Sequence, residues 1–243
     1  EEYSPKLLME GKFGTNPGEL RWAIVAEVPF FPWAIVVDNE NNIYISDAGN
    51  NRIQKFNSYG KYIESIPMAR DTSKPIFNNM QLLIDDLDNI YFFEGSLISR
   101  SITSQSIIYQ YDKKTKLIKK VVKNDFYLKK KYRNTLILGE KISNNKYDYQ
   151  QTLMITNPEG KKSEVTVKVT YEDNAEFIGE DIMGNIYVVG FLDSVYKISP
   201  TGQIITVIDL AKDWAKYWIS FGNMIMPPCI DKNGNIYQLG GRT

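Results

Sequence analysis

Residues 36–60 read VVDNENNIYISDAGNNRIQKFNSYG, and this stretch decides the fold. Its apolar runs are short and rich in β-branched and aromatic side chains, and the breaks between them consist of Asn, Asp, Ser and Gly. The runs favour strands, whereas the break residues tolerate turn and left-handed conformations. The stretch therefore predicts three antiparallel strands of a small up-and-down sheet.

The first half of this unit, D-x-x-[N/D/G]-N-I-Y, recurs along the chain. It begins at Asp38, Asp85, Asp181 and Asp231, so the intervals are 47, 96 and 50 residues. Because 96 is twice 48, one copy has lost this signature between the second and the third. The second turn of the unit still marks that copy, since residues 156–160 read TNPEG. A period of this length indicates a repeated supersecondary unit.

Five units follow from these two markers. They are predicted at residues 33–66, 80–122, about 135–169, 176–210 and from Cys229 onward. Four-stranded units repeated radially make a β-propeller, so we predict one all-β domain over residues 1–243 with five antiparallel blades, six being the alternative count. The last unit has only two strands, and residues 6–13 resemble a fourth strand. We therefore expect the N-terminal strand to close the last blade.

The stretch at residues 32–60 resembles an NHL repeat. The family pattern is a Pro-led strand, V-D-x-x-G-N-I-Y-V-x-D, then N-x-R-I-x-x-F and a Gly turn, and residues 13–20 resemble the link that precedes such repeats. Later units fit less closely, because Glu94, Gly190 and Gly240 stand where Asp47 stands in the first. The resemblance implies a six-bladed propeller superfold, from which our count of five departs.

The loops of such a fold divide into two groups. With strands a to d in each unit, the a–b and c–d turns share one face, and the b–c and d–a connections share the other. The second group is long and dissimilar here, and loops on a rigid scaffold commonly carry recognition. The expected ligand-binding residues lie there: Arg21, Trp22, Phe31, Asp47, Arg52, Arg70, Trp214 and Trp218. The alternative is that these rings close the central channel or pack between blades.

Two other kinds of residue invite a chemical interpretation. The repeated Asp residues could suggest calcium or acid–base chemistry, but they begin tight turns on separate blades, where Asp caps the backbone. Cys229 opens a core strand after two prolines, so we expect a small buried hydrophobe rather than a nucleophile.

The composition excludes several function classes. The chain has no histidine, which removes Ser-His-Asp and Cys-His catalysis and His-ligated metals. Its 29 basic residues balance 29 acidic ones, so no global field attracts nucleic acid. The basic run at residues 113–133 favours an outer strand whose charges discourage edge pairing. We therefore do not expect nucleic-acid binding, although some NHL propellers bind nucleic acid.

These observations favour a non-enzymatic interaction module that recognises a protein, peptide or glycan on its irregular face. The alternative is a calcium-dependent hydrolase of the lactonase type, acting at the central channel through oxygen ligands, for which the chain offers Glu176, Glu180 and Asn223. We favour the binding module over the enzyme, with no cofactor unless calcium is bound, and we expect a monomer.

The expected location is extracytoplasmic. The sequence opens on Glu1-Glu2 without an initiator Met, and no apolar run approaches the ~18 residues of a membrane span. Together with the neutral composition, this favours a periplasmic, cell-surface or secreted bacterial protein, or the soluble part of a lipoprotein, with a cytosolic fragment as the alternative.

Overall fold

The computed structural model describes most of the chain. The described residues are 6–21, 23–25, 28–30, 32–68, 80–94, 107–121, 135–145, 148–169, 174–190, 194–210 and 228–239. Almost all regular structure in them is antiparallel strand, with one short 3-10 helix at Ala48–Asn50. None of their helices is long and apolar enough to cross a membrane.

The strands form the sheets that the repeat predicts. Their bounds are β1 Ala23–Val25, β2 Val28–Phe30, β3 Ile35–Val37, β4 Ile43–Asp47, β5 Arg52–Phe56, β6 Tyr62–Pro67, β7 Met80–Ile84, β8 Ile90–Glu94, β9 Ile108–Tyr111, β10 Ile118–Val121, β11 Thr135–Asn145, β12 Asp148–Thr156, β13 Lys162–Val169, β14 Glu176–Glu180, β15 Ile186–Val189, β16 Ser194–Ile198, β17 Ile204–Asp209, β18 Cys229–Ile230 and β19 Ile236–Tyr237. Strands β3–β6, β7–β10 and β14–β17 each make a four-stranded sheet in chain order. The all-β fold with four-stranded antiparallel sheets is thus confirmed, while the number of blades stays a prediction.

The a–b turns owe their shape to the repeated Asp. The Asp38 Oδ1 atom accepts hydrogen bonds from the backbone N–H groups of Glu40 at 2.9 Å and Asn42 at 2.8 Å. Its Oδ2 atom accepts from the Asn42 side chain at 2.9 Å and from the Tyr44 hydroxyl at 3.1 Å. One carboxylate therefore closes the turn and attaches it to strand β4, as expected for a capping Asp.

The same arrangement recurs at the later signatures. Asp85 and Asp181 each accept the four equivalent hydrogen bonds, ending on the hydroxyls of Tyr91 and Tyr187. Asp231 accepts the equivalent bonds from the two backbone N–H groups and from the Asn235 side chain. The capping role predicted for these four Asp residues is therefore confirmed.

The fourth residue of each a–b turn has a positive φ. It is 62° at Asn41, 62° at Asp88, 82° at Gly184 and 83° at Gly234. This left-handed conformation is the one that Asn, Asp and Gly tolerate best. The variable fourth position of the signature, N/D/G, is explained by that single backbone requirement.

The unit without the first signature has only three described strands. Strands β11, β12 and β13 pair in order, and the turn at residues 157–161 joins the last two. Leu153, Ile155 and Val167 of this sheet are buried in one core with Ile186 and Val188 of β15. The residues that would form a strand before β11 lie outside the described part of the chain.

One prediction about the ends of the chain is wrong. Residues 6–12 form no strand, and Phe13 forms an isolated bridge to Leu20. The segment lies instead beside the β5–β6 turn, where a Cβ atom on Gly60 would be 3.1 Å from the Leu8 carbonyl oxygen. Leu8 and Met9 are partly buried there. A short apolar pattern predicts side-chain burial, and here packing on a turn satisfies it without any strand partner.

The chain divides into two compact units. One contains residues 1–6, 132–236 and 240–243, and the other contains residues 7–131 and 237–239. In the second unit the largest buried side chains of the first sheet include Tyr44, Phe56 and Ile53, all at most 1% exposed. In the first unit, Tyr187, Val195 and Ile208 pack with Ile230 of β18. The prediction of a single domain stays a prediction.

Candidate functional site on the irregular loops of the first sheet

The b–c connection of the first sheet lies beside the loop that precedes that sheet. Strand β4 ends at Asp47, the 3-10 helix Ala48–Asn50 follows, and Asn51 takes a left-handed conformation with φ 53° before β5 begins. The Asn50 side chain donates to the Gly14 carbonyl oxygen at 2.9 Å. The structure thus brings together a b–c connection and a d–a loop, as predicted for the irregular face.

Asp47 is the centre of the polar network in this region. The residue is fully buried, at 0% exposed. The Oδ1 atom accepts from the Arg21 backbone N–H at 2.9 Å, and Oδ2 accepts from Arg52 Nε at 2.8 Å. The side chains of Asn50 and Gln54 also donate to Oδ2, at 2.9 Å and 3.0 Å. A buried carboxylate is tolerated only with such partners, and here the donors come from both the loop and the sheet.

Arg52, which also bonds this carboxylate, attaches the loop to the sheet. The guanidinium donates to the carbonyl oxygens of Thr15 at 3.0 Å, Asn16 at 2.8 Å and Glu19 at 2.8 Å. Its side chain is only 13% exposed. The rigid fork of an Arg side chain suits this simultaneous contact with several acceptors. Arg52 therefore attaches the loop at residues 15–19 to strand β5.

Gln54 completes the attachment. Its Nε2 atom donates to the Glu19 carbonyl oxygen at 2.5 Å, and its Oε1 atom accepts from the Gly18 backbone N–H at 2.8 Å. Sequence reasoning missed Gln54, although a signal was present. Residues 52 and 54 lie on the same face of a strand, and Asp47 pairs with Arg52 in the register. The assigned hairpin alone is therefore enough to predict that the three side chains converge.

The loop also stabilises itself. The Glu19 carboxylate accepts the Asn16 backbone N–H at 3.0 Å, and this bond lowers the pKa of Glu19. The same carboxylate lies close to Gly14, where a built Cβ atom would overlap it unless the Glu19 side chain moved. Internal bonds and the contacts to β5 together give the loop one defined conformation.

Arg21 differs from Arg52 in what its guanidinium contacts. The stem of Arg21 lies over Gly49, where a built Cβ atom would be 3.1 Å from the Arg21 Cβ. Its Nη1 atom donates to the Gly49 carbonyl oxygen at 3.1 Å. Within the described part of the chain this is the single acceptor for the Arg21 guanidinium, whose residue is partly exposed. The Arg52 guanidinium, by contrast, donates to Asp47 and to three carbonyl oxygens of the loop.

Three of the eight predicted site residues are thus brought together. Arg21, Asp47 and Arg52 belong to one hydrogen-bonded network, in which Asp47 and Arg52 position the loop that carries Arg21. The other five lie outside the described residues, and their part in binding stays a prediction: Trp22, Phe31, Arg70, Trp214 and Trp218.

A second polar cluster lies on turns at the other end of the first sheet, where they meet the turns of the second four-stranded sheet. Lys113, in the β9–β10 turn, contacts Asp38 at 3.3 Å, Glu40 at 3.0 Å and Asp88 at 2.8 Å. Asn39 donates to Asp88 with both its backbone and its side-chain nitrogen, each at 2.9 Å. The a–b turns of neighbouring sheets and a c–d turn therefore meet, as the alternation of connections predicts.

The charges in this cluster stabilise one another. Burial opposes ionisation of Lys113, but the bonds to Asp88 and Glu40 outweigh it and leave the Lys113 pKa raised. Burial also acts against the Asp38 carboxylate, yet the hydrogen bonds from Asn42 and the charge of Lys113 leave the Asp38 pKa lowered. Burial and the neighbouring Asp85 raise the pKa of Tyr91 to about 12. Lys113, Asp38, Glu40 and Asp88 form a charge cluster, the Lys113 cluster, that stabilises the contact between these turns.

The residues considered for calcium do not form a site in what is described. No group of three or more His, Cys, Asp or Glu side chains suited to a metal ion occurs among the described residues. Glu176 and Glu180 lie at opposite ends of β14, and Asn223 lies outside the described residues. Cys229 begins β18 and is partly rather than fully buried, so the expectation of a buried thiol is met only in part.

The basic run is described only in its first part. Strand β10, at Ile118–Val121, is the end strand of its sheet, which confirms the predicted outer position. Lys119 and Lys120 are exposed on it, and Lys116 bonds Glu64 of β6 at 2.9 Å. Residues 122–133 of the run lie outside the described part.

Comparisons with known proteins agree with the repeat. Residues 31–56 match the family model of the NHL repeat, which confirms the resemblance over strands β3–β5. No curated protein matches the sequence at a significant level.

Several solved structures are similar to parts of this chain. A virginiamycin B lyase from Staphylococcus aureus is 15% identical, with 87% of this chain and 70% of that chain covered and a TM-score of 0.30. A protein of unknown function from Bacteroides thetaiotaomicron is 13% identical, with 95% and 56% covered and a TM-score of 0.37. A gluconolactonase from Xanthomonas campestris is 12% identical, with 82% and 64% covered and a TM-score of 0.35. Likeness at this level carries no statement about catalysis or ligand in this chain.

Proposed function

We propose that this chain is a non-catalytic interaction module, and that its irregular loops recognise a protein or peptide bearing a carboxylate. The observation that carries the proposal is the contrast between two arginines of one network. Arg52 directs its donors to the loop at residues 15–19, while among the described residues the Arg21 guanidinium bonds only the Gly49 carbonyl oxygen. Arg is well suited to bidentate recognition of a carboxylate.

Preorganisation of the loop supports this proposal. The loop is held by the fully buried Asp47 and by the side chains of Arg52 and Gln54. A loop already fixed in the free protein loses little conformational entropy on binding, so more of the contact energy appears as affinity. Loops held on a rigid scaffold commonly carry the residues that recognise a ligand.

The test is selection of binding peptides from a random peptide library, followed by titration of the selected peptides. We expect the selected sequences to contain Asp or Glu, and we expect Arg21→Ala to weaken their binding at least about tenfold through the lost charge-assisted bonds. Lys161→Ala, at an exposed turn residue, is the matched control and leaves binding unchanged. Selection of peptides without acidic residues, or equal binding to the Arg21→Ala variant, contradicts the proposal.

A calcium titration separates this proposal from the lactonase alternative. A metal that binds only the native state raises the melting temperature as its concentration increases. The interaction module predicts the same melting temperature in excess EDTA and in millimolar calcium, measured by differential scanning fluorimetry. A calcium-dependent rise of several degrees contradicts that expectation and favours the hydrolase. An extracytoplasmic location stays a prediction, and fractionation of the source cells tests it.

A further inference from the structure

The outer strands of the sheets differ in how their free edges are protected. A strand at a sheet edge leaves backbone N–H and C=O groups unpaired, and proteins commonly guard such edges with charges, Pro or bulges. Strand β10 carries the exposed Lys119 and Lys120. Strand β13 carries exposed charged side chains at Lys162, Glu164 and Lys168. Strand β17 lacks any charge over residues 204–207.

Strand β6 is the outer strand of the first sheet and resembles β17 in its register, but the two strands differ in the residues that protect their edges. Both strands have a register shift next to their first residues, and the additional residues, Ile63 and Ile205, are 44% and 45% exposed. After that point β6 continues with Glu64 and ends at Pro67, whereas β17 continues with Thr206 and the 48% exposed Val207. Glu64 of β6 has no charged counterpart in β17, where Thr206 takes the equivalent position, whereas the exposed Asp209 stands in the place of Pro67.

The contacts around the two edges also differ. Lys116, in the turn between β9 and β10 of the next sheet, forms an ion pair with Glu64 of β6 at 2.9 Å. Among the described residues, β17 pairs only with β16 and stands at the end of its sheet. The exposed side chains of Ile204, Ile205 and Val207 therefore form an uncharged stretch of this edge, which ends at the exposed Asp209. Such an edge is a template for another strand.

We propose that a second copy of this chain pairs with it through β17, giving an antiparallel dimer that continues the sheet across a twofold axis. The sequence of β17 is complementary to itself in one register. With Thr206 of one copy opposite Thr206 of the other, Ile205 lies opposite Val207, and Gln203 lies opposite Asp209. Apolar residues then meet apolar residues and polar residues meet polar ones, with no like charges directly opposite.

Shifting the register weakens this complementarity. With Val207 on the axis, Ile205 of one copy lies opposite Asp209 of the other, which buries a charge against an apolar side chain. A single short strand from each copy gives a contact below the size of a standard interface, so the dimer is weak and dissociates on dilution. The sequence composition led us to expect a monomer, and the exposed outer edge is the observation that changes this expectation.

Sedimentation velocity over a wide range of protein concentration, up to about 1 mM, tests the proposal. The wild type is expected to shift from monomer to dimer as concentration rises. Ile205→Lys and Val207→Glu, made separately, are each expected to weaken dimerisation at least about tenfold, because each buries an unpaired charge at the contact. Ile63→Lys, at the equivalent position of β6, is the matched control and leaves the dimer intact.

The double variant Ile205→Lys with Val207→Glu tests the register itself. In the proposed register the new cation at position 205 of one copy lies opposite the new anion at position 207 of the other, so dimerisation returns. Circular dichroism and the melting temperature of each variant show that the monomer is folded, which separates loss of pairing from loss of structure. A wild type that stays monomeric throughout overturns the proposal. So does a dimer that is insensitive to these variants, or one that is lost on Ile137→Lys in β11 instead.

Discussion

At the scale of single residues, one carboxylate decides the conformation of the candidate site. Asp47 is fully buried, and its four hydrogen bonds come from the loop, the 3-10 helix and strand β5. The sequence placed Asp47, Arg21 and Arg52 in one candidate site because of their loop positions. It assigned all three to the ligand, since residue type alone does not show whether a charge is directed into the protein or to solvent.

The first prediction concerns this carboxylate. Asp47→Ala is expected to lower the free energy of unfolding by about 3–5 kcal/mol, because Arg52 and Gln54 lose their buried acceptor. Urea unfolding followed by fluorescence measures it, and Glu159→Ala at an exposed turn should change stability by less than about 0.5 kcal/mol. A cost for Asp47→Ala as small as that of the control would mean that the loop is not held by this network.

At the scale of elements, the turns of the repeat are the part of the fold that the sequence predicts best. Asp38 and its three counterparts marked the turns because each turn requires an oxygen cap at its first residue and a positive φ at its fourth. The strand predicted at residues 6–13 failed because a short apolar pattern does not specify a partner. Gln54 was missed because only the loop positions were considered, although the pairing of Asp47 with Arg52 places Gln54 on the same face of β5 as Arg52.

Contacts between neighbouring a–b turns give the second prediction. A Cβ atom on Gly234 would lie 3.3 Å from the Asp181 Oδ2 atom and would overlap the Tyr187 hydroxyl. Gly160 has a similar positive φ, 80° against 83°, with nothing within 4 Å of such an atom. Both Ala variants incur the left-handed strain of about 1–2 kcal/mol, and Gly234→Ala should cost about 1–3 kcal/mol more through steric overlap. Equal losses in thermal unfolding of the two variants would contradict the packing of the turns.

The Lys113 cluster gives the third prediction, which concerns the pH dependence of stability. The folded pKa values of Asp38 and Glu40 are lowered and that of Lys113 is raised. The carboxylates therefore stabilise the fold above their unfolded pKa values of about 4, and this contribution is lost as pH falls through the folded values. The lysine contributes below its unfolded pKa of about 10.4, and its contribution is lost as pH rises through the raised value.

Comparison of Lys113→Ala with the wild type measures this linkage. We expect the variant to be less stable by about 1 kcal/mol near pH 7, a small value because solvent reaches the partly exposed ammonium group. The difference should shrink as the pH falls below about 3, where the partner carboxylates become protonated. Lys61→Ala, at an exposed turn lysine, serves as the control. A difference that is the same at neutral and at strongly acidic pH would exclude the carboxylates as the source of the effect.

At the scale of the whole molecule, the chain consists of repeated small sheets whose two kinds of connection have different roles. The a–b and c–d turns are standardised by Asp, Asn and positive-φ residues, and in the first two four-stranded sheets they clasp one another. The irregular connections differ from sheet to sheet, and the first of them is fastened in place with an accessible arginine. In the unit that contains the first two four-stranded sheets, this division agrees with the proposal that the irregular loops recognise a ligand while the regular turns stabilise the fold.

Amide chemical-shift mapping of the isotope-labelled chain with a selected acidic peptide tests this account most directly. We predict the largest changes at the backbone amides of Arg21, Gly49 and Asn50, and none at the turn of residues 157–161. The Arg21→Ala variant should lose the changes while keeping the spectrum of a folded protein. Changes centred on the turns around Asp38 and Asp88, or changes that persist without Arg21, would contradict the assignment of the binding surface.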